Sequence, residues 1–121
     1  MPKSIKEISD IISNFSDIRG WKNEDPTELI NSIYIEMGEL TEHFQWKHKF
    51  SKLGKTEKTE LGYEFVDVIF FLFRLASRSD INMEEYFDEK LPKLEKKFPI
   101  GSNAERQHKE YRRTGKNKRY E

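Results

Sequence analysis

An all-α fold, a four-helix bundle with helices shared between subunits, is what the sequence predicts, and three observations carry that expectation. Apolar residues recur at spacings of three and four in four successive segments. Start signals for helices precede three of those segments. No stretch alternates apolar and polar residues for long, so no strand is expected. At 121 residues the chain has room for one domain with its own core. Residues 1–100 are assigned to that domain and residues 101–121 to a basic tail.

The first helix carries Ile5, Ile8, Ile12, Phe15 and Ile18 as a single stripe, with Ser4 as N-cap and an end near Arg19-Gly20-Trp21. Trp21 then falls in a loop, either as a lid on the core or as a stacking platform for a ligand. The second helix opens at Asp25-Pro26-Thr27-Glu28, where Asp25 caps, Pro26 fits the first turn and Glu28 completes a capping box. Ile30, Ile33, Met37, Leu40 and Phe44 form its expected buried stripe, and Glu36, Glu39 and His43 lie on a second face. The third helix is expected from about Thr56 to Ser79, with Leu61, Phe65, Val68, Ile69, Leu72 and Ala76 mostly buried. Phe70, Phe71 and Phe73 make it apolar nearly all round, so it is central or shared with another subunit. Asn82 to Glu85 reads as a capping box for the fourth helix, which carries Phe87, Leu91, Leu94 and Phe98. Pro92 is expected to kink or split that helix.

Lys plus Arg and Asp plus Glu both number 22, so net charge points to neither a nucleic acid nor a membrane. The charge is uneven, with seven Lys or Arg against three Glu from Gly101 to Glu121. Cysteine is absent, which excludes disulfides and thiolate metal sites. No apolar run approaches the ~18 residues of a membrane span, and residues 1–7 lack the apolar core of a secretory signal. The resulting expectation is a soluble cytoplasmic protein with no membrane or stable nucleic-acid partner.

The chemistry is concentrated in the stretch Gly62 to Leu75, the most apolar of the chain, which nevertheless holds Glu64 and Asp67. Three residues apart, both carboxylates leave a helix on one side. A carboxylate in apolar surroundings costs several kcal/mol if unpaired, or takes up a proton. A cation opposite is therefore expected, and hard oxygen ligands favour Mg²⁺ or Mn²⁺. Glu36 and Glu39 form a second pair at the same spacing. If the second and third helices run antiparallel, the four acids converge and hold one or two such ions. Spacing alone is weak support, because Glu57 with Glu60 and Glu85 with Asp88 repeat it on faces that read as solvated. Di-iron chemistry needs Glu-x-x-His on two helices, and the only instance is Glu105 to His108. No Gly-x-Ser-x-Gly or P-loop is present. Lys90, Lys93, Lys96 and Lys97 read either as a solvated face or as phosphate contacts.

Arg19-Gly20-Trp21, the run from Ile35 to Lys47, Glu64 to Ile69 and Lys96 to Pro99 together resemble the all-α nucleoside triphosphate pyrophosphohydrolases, in particular the MazG-like and dCTP pyrophosphatase branch. The similarity spans about Ile8 to Pro99, and the Phe44-Gln45-Trp46 run directly after the first acid pair makes it specific. The resemblance implies Mg²⁺-dependent cleavage of a nucleoside triphosphate to monophosphate and pyrophosphate, for nucleotide-pool cleaning. It places the metal on Glu36, Glu39, Glu64 and Asp67, with a glutamate or aspartate of this set as the catalytic base. It puts Trp21 and Trp46 at the base, Lys90 near the phosphates, and Lys47, Phe71 and Leu94 in the substrate site. It also implies a homodimer or homotetramer.

The resemblance has departures. Relatives that act on dCTP carry histidine where this chain has Ile12, tyrosine where it has Phe71 and asparagine where it has Leu94, and Glu24-Asp25-Pro26 replaces a longer His-x-Pro piece. Each change removes a hydrogen-bonding group, so a pyrimidine substrate such as dCTP or a modified form remains the expectation, with altered or looser base selectivity. Two other readings stand beside this one: a relative acting on another phosphoanhydride such as phosphoribosyl-ATP, and a helical nucleotide-binding or regulatory module without turnover.

Overall fold

The computed structural model describes residues 2–21, 23–46, 52–101 and 104–114. All regular structure among them is helical: α1 (Ile5–Asp17), α2 (Pro26–Phe44), α3 (Lys55–Arg78), α4 (Met83–Lys97) and α5 (Ala104–Thr114). The chain divides into two compact units, Met1–Asn82 and Met83–Glu121.

In the first unit the helix boundaries follow local chemistry. Ser4 accepts from Glu7 N while Glu7 reaches back to Ser4 N, a reciprocal cap that satisfies two backbone donors. Asp25 caps α2 through Thr27 N at 2.7 Å, and Pro26 opens the helix. Glu28, expected in a capping box, lines a cavity described below. α1 closes with Gly20 at φ +76° and the paired bonds Trp21 N to Ser16 O and Gly20 N to Asp17 O. This is the glycine-ended Schellman arrangement, and it fixes where Trp21 leaves the helix. α3 ends in the same way, with Ile81 N bonded to Ala76 O and Asp80 N to Ser77 O, but there a non-glycine, Asp80, takes the left-handed position at φ 58°.

α3 packs against both α1 and α2. Glu24 meets Arg74 and His43 meets Glu64, so residue numbers rise along α2 as they fall along α3. The two helices are therefore antiparallel, as their short connection favours. Ser13 bonds Ser77 at 2.9 Å and the Phe15 ring meets Phe70 edge-on at 5.3 Å, which ties α1 to the other side of α3.

The buried apolar core consists of Ile12, Leu29, Leu40 and Leu61, joined by Ser16 and Arg74. Ser16 satisfies itself by donating to Ile12 O. Several expectations are corrected here. Ile30 and Met37, assigned to the buried stripe of α2, are exposed, and Leu29 is buried instead. The inward stripe is Leu29, Ile33, Glu36, Leu40 and His43, at spacings of four and three. α2 has apolar residues on more than one face, so periodicity alone does not choose the inward one. Phe65 and Leu72 on α3 are likewise exposed.

In the second unit, α4 runs unbroken past Pro92 from Met83 to Lys97, contrary to the expected split. The segment read as a basic tail contains α5 in addition to the four expected helices. Between α4 and α5 Gly101 has φ +142°, and the Phe98 ring meets His108 edge-on at 6.0 Å.

The two left-handed helix ends give a direct test. A Cβ at residue 20 would meet no atom within 4 Å, so Gly20→Ala pays only the backbone cost of the left-handed conformation, about 1 kcal/mol. Asp80→Gly should gain up to about 1 kcal/mol for the same reason. Urea titration of both variants measures the two shifts, which should have opposite signs.

Candidate functional site

Glu36 sits on the stripe of α2 that faces α3, between Ile33 and Leu40, and Glu64 sits on the facing stripe of α3 between Leu61 and Val68. Both are half-buried, whereas Glu39 and Asp67 are exposed. The four acids stand close enough to disturb one another. The Glu36 carboxyl is pushed above the usual carboxylate range, first by burial, then by the charge of Glu39 and a hydrogen bond with it, then by Asp67 and Glu64. Glu36 Oε2 and Glu64 Oε2 are buried without a hydrogen-bond partner. His43 Nε2 lies 2.7 Å from Glu64 Oε2, within ion-pair distance but not aligned as a hydrogen bond.

Buried, unpartnered carboxylate oxygens facing other acids are a donor set suited to a hard divalent cation. Among the described residues no three Asp, Glu or His side chains are already closed to ligating distance around one point. The four acids thus suit such a cation in their chemistry, with Glu39 and Asp67 exposed and Glu36 and Glu64 half-buried.

Beside the acids lies a cavity of about 700 Å³ lined by Phe15, Trp21, Glu24, Glu28, Val66, Asp67, Phe70, Phe71 and Arg74. Asp67 belongs to both cavity and acid set. The glycine-ended turn of α1 delivers Trp21, and Arg78 Nη1 donates to Trp21 O at 3.3 Å. The Trp21 and Phe15 rings are 6.0 Å apart. Arg74 is only 6% exposed and ion-pairs with Glu24. Its guanidinium stands 5.0 Å from the Trp21 ring centre and 5.4 Å from that of Phe71. Burial, and then the nearby Arg78, lower its affinity for its proton.

The structure thus brings Trp21, Phe71 and Asp67 to one cavity, while Glu36, Glu39 and Glu64 do not line it and Glu36 lies close enough to Asp67 to feel its charge. Trp46, expected at the base, is 84% exposed and does not line the cavity. Lys47 lies outside the described residues. Lys90, half-buried, and Leu94, exposed, lie on α4 in the second unit. The sequence reading did not place Glu24 and Arg74 in the site. The available signal was Arg74 itself, a full charge inside the apolar run of α3, whose partner lies 50 residues away and leaves no trace in local spacing.

Comparison with known proteins points to one family. Residues 31–112 match the MazG-like family. Over 102 residues the chain is 26% identical to dCTP pyrophosphatase 1 of Mus musculus, a match covering 80% of this chain and 60% of that protein. The Bos taurus protein of the same name is 24% identical over the same length and coverage. The chain therefore spans about 60% of the length of these relatives. The crystal structure of a pyrophosphatase from Archaeoglobus fulgidus is similar with a TM-score of 0.62 and 34% identity, covering 82% of this chain and 95% of that one. The family match contains both acid pairs, all of α3 and α2 from residue 31 on, and the chain belongs to the MazG-like family.

Proposed function

We propose that this chain is a divalent-metal-dependent nucleotide pyrophosphohydrolase that converts a nucleoside or deoxynucleoside triphosphate and water to the monophosphate and pyrophosphate, clearing unwanted nucleotides from the pool. The observation that carries this reading is Asp67, which lines an aromatic cavity and is one of three acids whose charge acts on the half-buried Glu36. The names of the relatives, dCTP pyrophosphatase 1 and pyrophosphatase, support it and favour a pyrimidine deoxynucleotide such as dCTP or a modified form.

Glu36, Glu39, Glu64 and Asp67 would hold Mg²⁺, with Mn²⁺ as an alternative. A divalent ion there supplies charge neutralisation for phosphate oxygens and a lower pKa for the attacking water. The faces of Trp21 and Phe71 stack against the base and set the triphosphate towards the acids. A carboxylate of the set takes the proton as water oxygen bonds to phosphorus and the α–β anhydride bond breaks, releasing pyrophosphate. The resemblance assigns Lys90 to the phosphates, and Lys47, Trp46 and Leu94 to the substrate site.

The assembly is a homodimer or homotetramer. Its support is the apolar surface one chain leaves open: Ile18, Tyr34, Ile35 and Tyr63 are each more than 60% exposed. Surface of that kind marks contact with another molecule.

Asp67→Asn keeps the helical circular-dichroism spectrum and lowers turnover by at least about 100-fold, because it weakens the hold on the ion. Pyrophosphate release with Mg²⁺, against an EDTA control, measures it; a rate near wild type refutes the metal role. A panel of all common dNTPs and NTPs tests selectivity, and exclusive use of dCTP would contradict the loosening attributed to Ile12, Phe71 and Leu94.

Glu36 also makes a stability prediction. Its carboxyl binds a proton more tightly in the folded protein than in the unfolded chain, so the ionised group opposes folding. That penalty is full above the raised folded value, shrinks as pH falls through it, and is gone once pH is below the ordinary value of about 4.3. In EDTA, Glu36→Gln should therefore raise the melting temperature at pH 7, and the gain should fade towards acid pH. Mg²⁺ should raise the melting point of the wild type more than that of the variant. Thermal scans across pH measure both effects, and a lower melting point for the variant at pH 7 in EDTA would contradict them.

A further inference from the structure

The cavity holds a charged pair that the hydrolytic chemistry does not use. Arg74 is 94% buried by its 6% exposure, lines the cavity, and is held in place by Glu24 and by the faces of Trp21 and Phe71. Glu24 Oε1 meets Nη2, and both that oxygen and Arg74 Nε are buried without an aligned hydrogen-bond partner. A buried donor without an acceptor is costly, and the cost is removed when a ligand brings one. We infer that Arg74, positioned by Glu24, is the base-reading residue of the cavity and selects nucleobases that carry an exocyclic carbonyl oxygen. The inference rests on the nucleotide reading above and deepens it.

The chemistry of the bases sets the direction. Guanine, cytosine, uracil and thymine each present at least one carbonyl oxygen outside the ring. Adenine presents an amino group there and accepts at its ring nitrogens, so a guanidinium set for an exocyclic oxygen meets a donor in that oxygen's place. The aromatic walls favour any flat base, the carboxylates of Glu28 and Asp67 offer acceptors, and the guanidinium supplies the donor for a carbonyl oxygen. A polar site rejects a ligand lacking the matching group more sharply than an apolar site does.

The test measures binding, so that turnover does not enter. Non-hydrolysable α,β-imido analogues of dUTP, dCTP, dGTP and dATP are titrated into the full-length protein with Mg²⁺ by calorimetry. The wild type is expected to bind the best carbonyl-bearing analogue at least about 10-fold more tightly than the dATP analogue. Removing one partner alone would strand a buried charge, so the test variant is Glu24→Gln with Arg74→Met, which leaves no ion unpaired. It should bring the four affinities to within about threefold of one another, chiefly by weakening the carbonyl-bearing analogues. Arg74→Lys, which keeps a donor but loses the fork, should retain part of the preference. Equal binding of all four analogues by the wild type overturns the inference and leaves the hydrolase reading intact. An unchanged preference in the folded double variant overturns it as well, and makes the pair a structural one. If no analogue binds, the nucleotide reading fails and takes this inference with it.

Discussion

Like charges on the packed faces of two helices cost free energy, and the first unit is built around that cost. Glu36 and Glu64 occupy positions where an apolar residue would complete the α2–α3 seam. Their buried oxygens lack hydrogen-bond partners and the Glu36 carboxyl is driven towards its neutral form. Stability alone would replace both with leucine, because buried ionised groups seldom repay their desolvation. The His43 imidazole stands 2.7 Å from the Glu64 carboxylate. Local strain of this sort is what a binding site stores and a ligand releases.

The remainder of the fold supplies the rigidity such a seam requires. α3 is braced on its other side by α1 through Ser13, Phe15 and their partners Ser77 and Phe70. The apolar core is nevertheless thin, with Ile12, Leu29, Leu40 and Leu61 as its buried hydrophobic members among the described residues. Much of the apolar content of α2 and α3 instead faces outward, at Tyr34, Ile35, Tyr63 and Phe65. A helix apolar nearly all round needs a second surface against it.

Local signals were legible in the sequence wherever the physics is local. Ser4 with Glu7, Asp25 with Pro26, and Gly20 at the end of α1 each act within one turn, and each boundary follows from them. Glu64 and Asp67 were legible too, because they are carboxylates inside the apolar run from Gly62 to Leu75. The inward face of α2 was not. Ile30, Ile33 and Met37 make as good a stripe as Leu29, Ile33 and Leu40, and only the partner helix decides between them. The Glu24–Arg74 pair was hidden for the same reason, since its meaning lies in a contact across 50 residues of chain. Pro92 misled in the opposite direction, as α4 accommodates it without ending.

The charges embedded in α3 also carry an order. Asp67 and Arg74 are seven residues apart, two turns, which places them on one face about 10 Å from each other. Both line the same cavity, with Phe70 and Phe71 between them in sequence. One end of that cavity is therefore anionic and suited to a cation with its phosphates, and the other presents a guanidinium framed by aromatic rings. A ligand that satisfies both ends must itself be polarised, with an anionic group separated from a flat, hydrogen-bonding ring by a short neutral spacer. A nucleotide has that construction, with its sugar as the spacer. An inorganic polyphosphate lacks the ring and a free nucleobase lacks the anion, so each would leave half of the cavity unmatched.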